Sequence, residues 1–412
     1  MKNSVSVLER LSLNRLAHYF SIMGFFIIYF SPFWWPSSNT NAVALIRAFI
    51  FISAFIFIFQ AVLFKIKNGS KLDFNISNVL ILFLFSYLII NTYFLSEDTK
   101  PIRRVLFLIM FFISIYFLNI RPVFSRWFFI LLAVTGFCFA AYSLISMYKL
   151  DLLPTAYREA GLSRSAHENV ANFGNTIVAA MHFAISFILL VYLFLTETRR
   201  VLLFVWLVFL TVVSIYIVFT FSRAGWVGCA VAFMSIYAFT FDKKKIRFYL
   251  ILAMLLSLLV YFSLQFLQYE FHERGLTYRD EIWATVLSRM PGHWLFGYGL
   301  STELEPISIG GGVQIVGNTH NVYLEILYQT GFVGLILFLS VIIRTLYVLY
   351  KAIRNPLYGD VVVLFFSGLL AVLVVMFIEL NSWISTPNLL WQWLWMPVAL
   401  SLSISREIEA IE

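Results

Sequence analysis

The sequence predicts an all-α polytopic membrane protein of about twelve transmembrane helices, with one long helical loop on the outer side. Three observations carry that prediction. Of the 412 residues, 61% are hydrophobic and 12% are charged, about half the roughly 25% charge of a soluble domain. Apolar stretches of about 20 residues, the length that crosses a bilayer, recur along the whole chain. Lys and Arg collect in alternate connections, as they do on the cytoplasmic side of membrane proteins. A net charge of +8 follows from that bias and calls for membrane lipids as partners, not nucleic acid. The two cysteines, Cys138 and Cys229, each fall within an apolar span. Neither a disulfide framework nor a Cys-ligated zinc is therefore expected.

The expected spans run over 16–35, 42–64, 77–95, 102–120, 126–147, 172–196, 201–220, 224–241, 248–267, 321–345, 361–380 and 388–404. A polar segment with Lys2, Arg10 and Arg15 precedes the first of them. That first run is long enough to span and shows no small-residue cleavage site, so it reads as a helix and not as a cleaved signal. Only Phe221-Ser222-Arg223 separates the seventh and eighth spans, which fits a tight outward hairpin. With the N-terminus inside, the inner connections hold Lys65, Lys67 and Lys71; Arg121 and Arg126; Arg199 and Arg200; Lys243, Lys244, Lys245 and Arg247; and Lys351 and Arg354. An even number of spans returns the C-terminus to the inside.

The chain thus reads as a single transmembrane domain, 1–412, with a smaller outer loop over 149–171 and a large one over 268–320. In the large loop Ile282, Val286 and Met290 recur at i, i+4 and i+8, the spacing of one helix face. Pro291-Gly292 ends that helix, and Gly297, Gly299 and Gly310 to Gly312 mark turns.

Arginine on the outer side runs against the charge bias and so has another reason to be there. Arg158, Arg164, Arg223, Arg274, Arg279 and Arg289 are all outer, and Lys100, Arg103 and Arg104 lie near the outer end of the fourth span. Four of the six histidines, His167, His272, His293 and His320, are outer as well. His320 stands where a polar loop turns into an apolar helix. Asn318, Thr319 and Asn321 can each cap that helix start. The positive end of the helix dipole disfavours imidazolium, which leaves a ring able to accept a proton near neutral pH.

Arg223 is the only charge between Arg200 and Asp242. Ala224 and Gly225 beside it leave room for close approach, and a guanidinium grips phosphate oxygens in bidentate fashion. Snorkelling to head groups would also account for it. Arg279 sits among Tyr278 and Trp283, a mix suited to an interfacial helix. Asp280 and Glu281 could hold it in a plain ion pair, or Glu281 could orient His320 or an incoming hydroxyl. Arg158, Arg164, Arg274 and Arg289 could widen a phosphate site. There is no HExxH, P-loop or dinucleotide fingerprint and no carboxylate cluster suited to Mg²⁺, so no metal and no cofactor is expected. Glu379 is noted only as a charge near the outer end of its span.

Three motifs in this order resemble the O-antigen ligase and polymerase superfamily over residues 200–345. They are Ser222-Arg223-Ala224-Gly225-Trp226; Tyr278-Arg279 to Trp283 running on to Leu295-Phe296-Gly297-Tyr298-Gly299; and Thr319-His320-Asn321 to Glu325 with Gly331 and Gly334. The resemblance implies a GT-C-like glycosyltransferase of the bacterial inner membrane, with both termini cytoplasmic and the active site facing the periplasm. In the ligase branch, O-antigen passes from undecaprenyl diphosphate to a sugar hydroxyl of lipid A–core. In the polymerase branch, the acceptor is another lipid-linked repeat.

The same resemblance implies that Arg223 and Arg279 hold the diphosphate and that His320 activates the acceptor hydroxyl. Asn321, Glu281, Tyr278, Arg158, Arg164 and Arg289 stand as further candidates for substrate contact. Fixed guanidinium groups can stabilise the departing diphosphate in place of a metal, so an inverting, metal-independent transfer is expected. A lipid or oligosaccharide transporter is the reading from another class. Spans nearly free of interior charge, with the polar residues gathered on one face, suit surface chemistry better than transport.

Overall fold

The computed structural model describes residues 2–34, 40–68, 75–96, 98–118, 125–149, 173, 175–240, 251, 278–309, 314–355, 358–380 and 382–409. The helices are α1 (Lys2–Trp34), α2 (Thr40–Asn68), α3 (Ile76–Leu95), α4 (Lys100–Tyr116), α5 (Arg126–Lys149), α6 (Thr176–Thr196), α7 (Arg200–Phe219) and α8 (Arg223–Thr240). They continue with α9 (Arg279–Arg289), α10 (Val322–Ile353), α11 (Gly359–Val375) and α12 (Met396–Glu409), the last led in by a π turn over Trp391–Trp395. Eleven of the twelve expected spans coincide with these helices, and the ninth, 248–267, lies outside the described residues apart from Ile251. Among the described residues, seven helices are long and apolar enough to cross a membrane. The chain is an all-α polytopic membrane protein.

Helix α6 forms the axis. It is apolar all round, and nearly every side chain from Ala179 to Leu195 is buried, as expected of a helix enclosed by others. Helices α5, α7 and α8 pack around it. The room beside Arg223 turns out to serve this packing. A Cβ on Gly225 would stand 2.6 Å from Ala180 Cβ of α6, so the glycine lets α8 lie close. The expected hairpin between α7 and α8 is present, with Phe221 at φ 49 and Ser222 Oγ accepting Gly225 N–H at 3.3 Å. At the opposite end of the bundle, Glu197 joins helices through one carboxylate. Its Oε2 takes Arg126 Nη2 at 2.8 Å, and its Oε1 accepts Thr198 N–H at 2.9 Å and Arg199 N–H at 3.1 Å.

The large loop contains the expected helix as α9, which buries Ile282, Val286 and Met290 with Leu304, Ile307, Leu327 and Tyr328. It also contains a small antiparallel pair, β1 (Ile307–Ile309) with β2 (Gln314–Val316), registered Ile307 to Val316. The sequence did not announce these strands, because three residues are too few for a visible period of two.

Two glycine motifs explain each other in space. Helix α10 breaks at Gly331 (φ 65, ψ −171), and the turn 293–299 inserts there. Phe332 N–H donates to Trp294 O at 2.8 Å and Val333 N–H to Leu295 O at 3.2 Å. In return Tyr298 N–H donates to Tyr328 O at 3.0 Å and Gly299 N–H to Gln329 O at 2.9 Å. The backbone groups freed by the break are thereby satisfied. A Cβ on Gly331 would fall 2.3 Å from the Leu295 carbonyl, and one on Gly297 would fall 2.5 Å from the Gln329 carbonyl carbon. Asn91 of α3 anchors the same turn, giving Nδ2–H to Phe296 O at 2.7 Å and taking Leu300 N–H at 2.9 Å.

Candidate active site at the His320 end of the bundle

Helix α10 starts with Asn321 as its cap, whose Oδ1 accepts Leu324 N–H at 3.1 Å. His320 therefore precedes the cap. Its backbone is left-handed at φ 48, an uncommon state for a residue with a side chain. Local bonds hold it there. Asn318 Oδ1 accepts His320 N–H at 3.3 Å, and Thr319 Oγ1 donates to Asn321 O at 2.7 Å. Tyr278, immediately before α9, is also left-handed at φ 58. One turn into α9, Trp283 Nε1–H donates to Thr319 O at 3.0 Å and ties α9 to the His320 segment.

The centre of the site is a carboxylate that links the two elements. Glu379 lies in the turn after α11. Its Oε1 is 2.8 Å from His320 Nδ1, and its Oε2 accepts Arg279 Nη2–H at 2.7 Å. The Glu379 side chain is 12% exposed and that of Arg279 18%, whereas His320 is 34% exposed and accessible from the surface. Burial alone would push the Glu379 carboxyl up. The hydrogen bond and charge of His320, with the charge of Arg279, outweigh burial and hold it below its usual 4.5.

An ionised carboxylate only accepts hydrogen bonds. The proton between His320 and Glu379 therefore belongs to Nδ1, and in the tautomer that this bond selects the lone pair falls on Nε2. The chemistry that follows is proton acceptance at Nε2, with Glu379 fixing the tautomer and stabilising the imidazolium that forms.

Arg223 reaches the same end of the bundle. Ser367 Oγ–H donates to Ser235 Oγ at 2.9 Å, and a Cβ on Gly228 would sit 3.4 Å from Val375 Cγ2, so α8 and α11 run antiparallel. Arg223 precedes Gly228 by about 7.5 Å of helix rise, and Glu379 follows Val375 by four residues, so both lie at one end.

Other expected residues are placed differently. Glu281 is exposed on α9, and the carboxylate that meets the His320 ring is Glu379 instead. Asn321 spends its side-chain oxygen as the helix cap. Tyr278 is 44% exposed beside Arg279. Arg289 lies at the far end of α9, about 15 Å of helix from Arg279, and its Nη1–H donates to Glu305 O at 2.9 Å. Arg158 and Arg164, with the loop 149–171, lie outside the described residues apart from Lys149 itself. The sequence reading passed over Glu379 as an orienting group. It carries a signal all the same, being the only charged residue between Asp360 and Arg406. Among the described residues, no group of three or more His, Cys, Asp or Glu side chains gathers as a metal site.

Residues 206–339 match the profile of a family described as O-antigen ligase. A curated O-antigen ligase from Pseudomonas aeruginosa is 26% identical over 204 residues, 50% of this chain and 48% of its own length. The chain thus spans about half the length of the curated relative it matches. The matched stretch takes in Arg223, Arg279, His320 and the Gly331 break, so the part of the chain that builds the site is similar to the O-antigen ligase family.

Proposed function

We propose that the protein is a lipopolysaccharide O-antigen ligase, a metal-independent inverting glycosyltransferase. It would move O-antigen from undecaprenyl diphosphate to a sugar hydroxyl of lipid A–core at the periplasmic face of the bacterial inner membrane. The observation that carries this reading is the Arg279–Glu379–His320 chain of contacts at 2.7 and 2.8 Å. One carboxylate holds both a base and a cation at the end of the bundle where Arg223 also lies.

In the proposed reaction the acceptor hydroxyl approaches Nε2 of His320. Its oxygen forms the new bond to the anomeric carbon as the bond from that carbon to the diphosphate oxygen breaks. The hydroxyl proton passes to Nε2, and the diphosphate leaves with the bonding pair. Arg223 and Arg279 stabilise the charge that develops there. Each single displacement inverts the anomeric carbon. Glu379 stays ionised throughout and balances the imidazolium.

The test is transfer by the purified full chain in nanodiscs, supplied with undecaprenyl-diphosphate-linked O-antigen and lipid A–core. The expected result is modified lipid A–core of inverted configuration, with turnover unaffected by EDTA. His320→Ala and Arg279→Ala should each lower turnover by about 10²–10³-fold. Extension of the donor lipid with lipid A–core left unmodified would make the protein an O-antigen polymerase. Absence of any glycan transfer by folded wild type would refute the enzyme reading and bring transport forward.

A further inference from the structure

A second polar feature adjoins His320 and has no part in the chemistry described above. It is a cavity of about 470 Å³ between the first turn of α4, the loop 301–304 and the start of α10. This size falls within the roughly 300–1,000 Å³ of small-molecule sites. Its walls are mainly polar and include Arg104, Thr302, Asn318, Thr319, Glu325 and Gln329. Asn318 and Thr319 are the two residues before His320, so the cavity begins within one residue of the proposed base. Arg223 and Arg279 do not line it.

Glu325 is the informative residue. It is 9% exposed, in the first turn of α10. Its Oε1 is fully engaged, taking Ser382 N–H at 3.1 Å and Gln329 Nε2–H at 3.2 Å. The Gln329 amide cannot turn around, because its Oε1 accepts Trp383 Nε1–H at 3.1 Å. Glu325 Oε2, by contrast, has no hydrogen-bond partner among the described residues. Buried polar groups are almost always paired, and one left over calls for a donor that arrives from elsewhere. A carboxyl oxygen, a guanidinium, an amide and a hydroxyl around one space form a mixed set of donors and acceptors. That set matches a ligand whose many hydroxyls each donate and accept.

We propose that this cavity is the acceptor-saccharide subsite and that Glu325 is a positioning residue, receiving a hydroxyl of the bound sugar at Oε2. The proposal rests on the glycosyl-transfer reading of His320. The hydroxyl-rich ligand would be the core oligosaccharide of lipid A–core in a ligase, or a lipid-linked repeat in a polymerase.

Binding separates the subsite from the reaction. Lipid-free core oligosaccharide, and separately the O-antigen repeat oligosaccharide, are titrated calorimetrically into the full chain in nanodiscs, with no donor lipid present. Glu325→Gln preserves shape and the Oε1 acceptor while replacing Oε2 with an amino group. It should weaken saccharide binding about tenfold, the loss of one hydrogen bond. Arg104→Ala on the cavity wall should weaken it as well, and it decides the matter if Glu325→Gln lowers the melting temperature.

Weakened binding of the core oligosaccharide supports the subsite with a ligase acceptor, and weakened binding of the repeat alone supports it with a polymerase acceptor. Equal binding by wild type and both variants, or no binding by wild type, overturns the subsite even where transfer holds. Weakened binding without any transfer in the nanodisc assay keeps the cavity as a saccharide site but rejects the glycosyl-transfer reading, and with it the acceptor role.

Discussion

Glutamine at position 379 changes almost nothing in volume and a great deal in chemistry. The wild-type carboxylate faces two donors, His320 Nδ1–H at 2.8 Å and Arg279 Nη2–H at 2.7 Å, and accepts from both. An amide offers one acceptor and one donor. If its oxygen stays toward His320, an amino group is pressed against the Arg279 guanidinium. If it turns, the amino group donates to Nδ1 and the ring proton moves to Nε2, which removes the base. Neither arrangement keeps both contacts. The loss of a positioned general base costs about 10²–10⁴ in turnover, or about 2.7–5.4 kcal/mol at 1.36 kcal/mol per decade. The assay is the nanodisc transfer reaction, with turnover and KM for each substrate measured separately. Glu379→Gln should lower kcat far more than it raises either KM. Turnover within about threefold of wild type, under about 0.7 kcal/mol, would refute the role assigned to Glu379.

Gly331→Ala should destabilise the fold. The position has φ 65 and ψ −171, a region essentially reserved for glycine that costs a side-chain residue about 1–3 kcal/mol, and the new Cβ would meet the Leu295 carbonyl at 2.3 Å; an unchanged melting temperature in detergent would contradict the interlock. Acidification should uncouple the site. The Glu379 carboxyl is held below its usual 4.5, so its contribution to stability is complete above that value and is lost as the pH falls through its lower folded pKa. Urea midpoints measured from pH 6 downward should therefore decline for wild type, and more shallowly for Glu379→Gln. The inside-out assignment predicts opposite accessibility for two cysteines placed in a variant lacking Cys138 and Cys229. Ser288→Cys should react with an impermeant maleimide in intact spheroplasts and Thr198→Cys only after lysis, and the reverse pattern would invert the topology.

Much of the fold was legible because lipid imposes a simple rule on sequence. A spanning helix must be apolar for about 20 residues, so the spans stand out and eleven of them are helices within a residue range close to the expected one. The helix α9 was legible for a different reason, since Ile282, Val286 and Met290 face one buried cluster at regular spacing. Glycine was readable as punctuation but not as purpose. Gly297 and Gly331 lie 34 positions apart, and only their meeting explains why each lacks a side chain.

The sequence by itself determined the membrane class, the helix order, the arginines between spans and the histidine at the start of α10, because each is written in local composition and spacing. Tertiary structure alone decided which acid serves His320. Glu281 is nearer to Arg279 in sequence, two positions away, yet it faces outward from α9. Glu379 is a hundred positions from Arg279 and 59 from His320, and it stands between them. Periodicity assigns a residue to a face of its own helix, but it carries no information on which helix ends converge. That convergence follows from the antiparallel packing of α8 with α11 and from the bond of Val322 N–H to Met376 O at 2.9 Å, contacts between segments that share no local pattern.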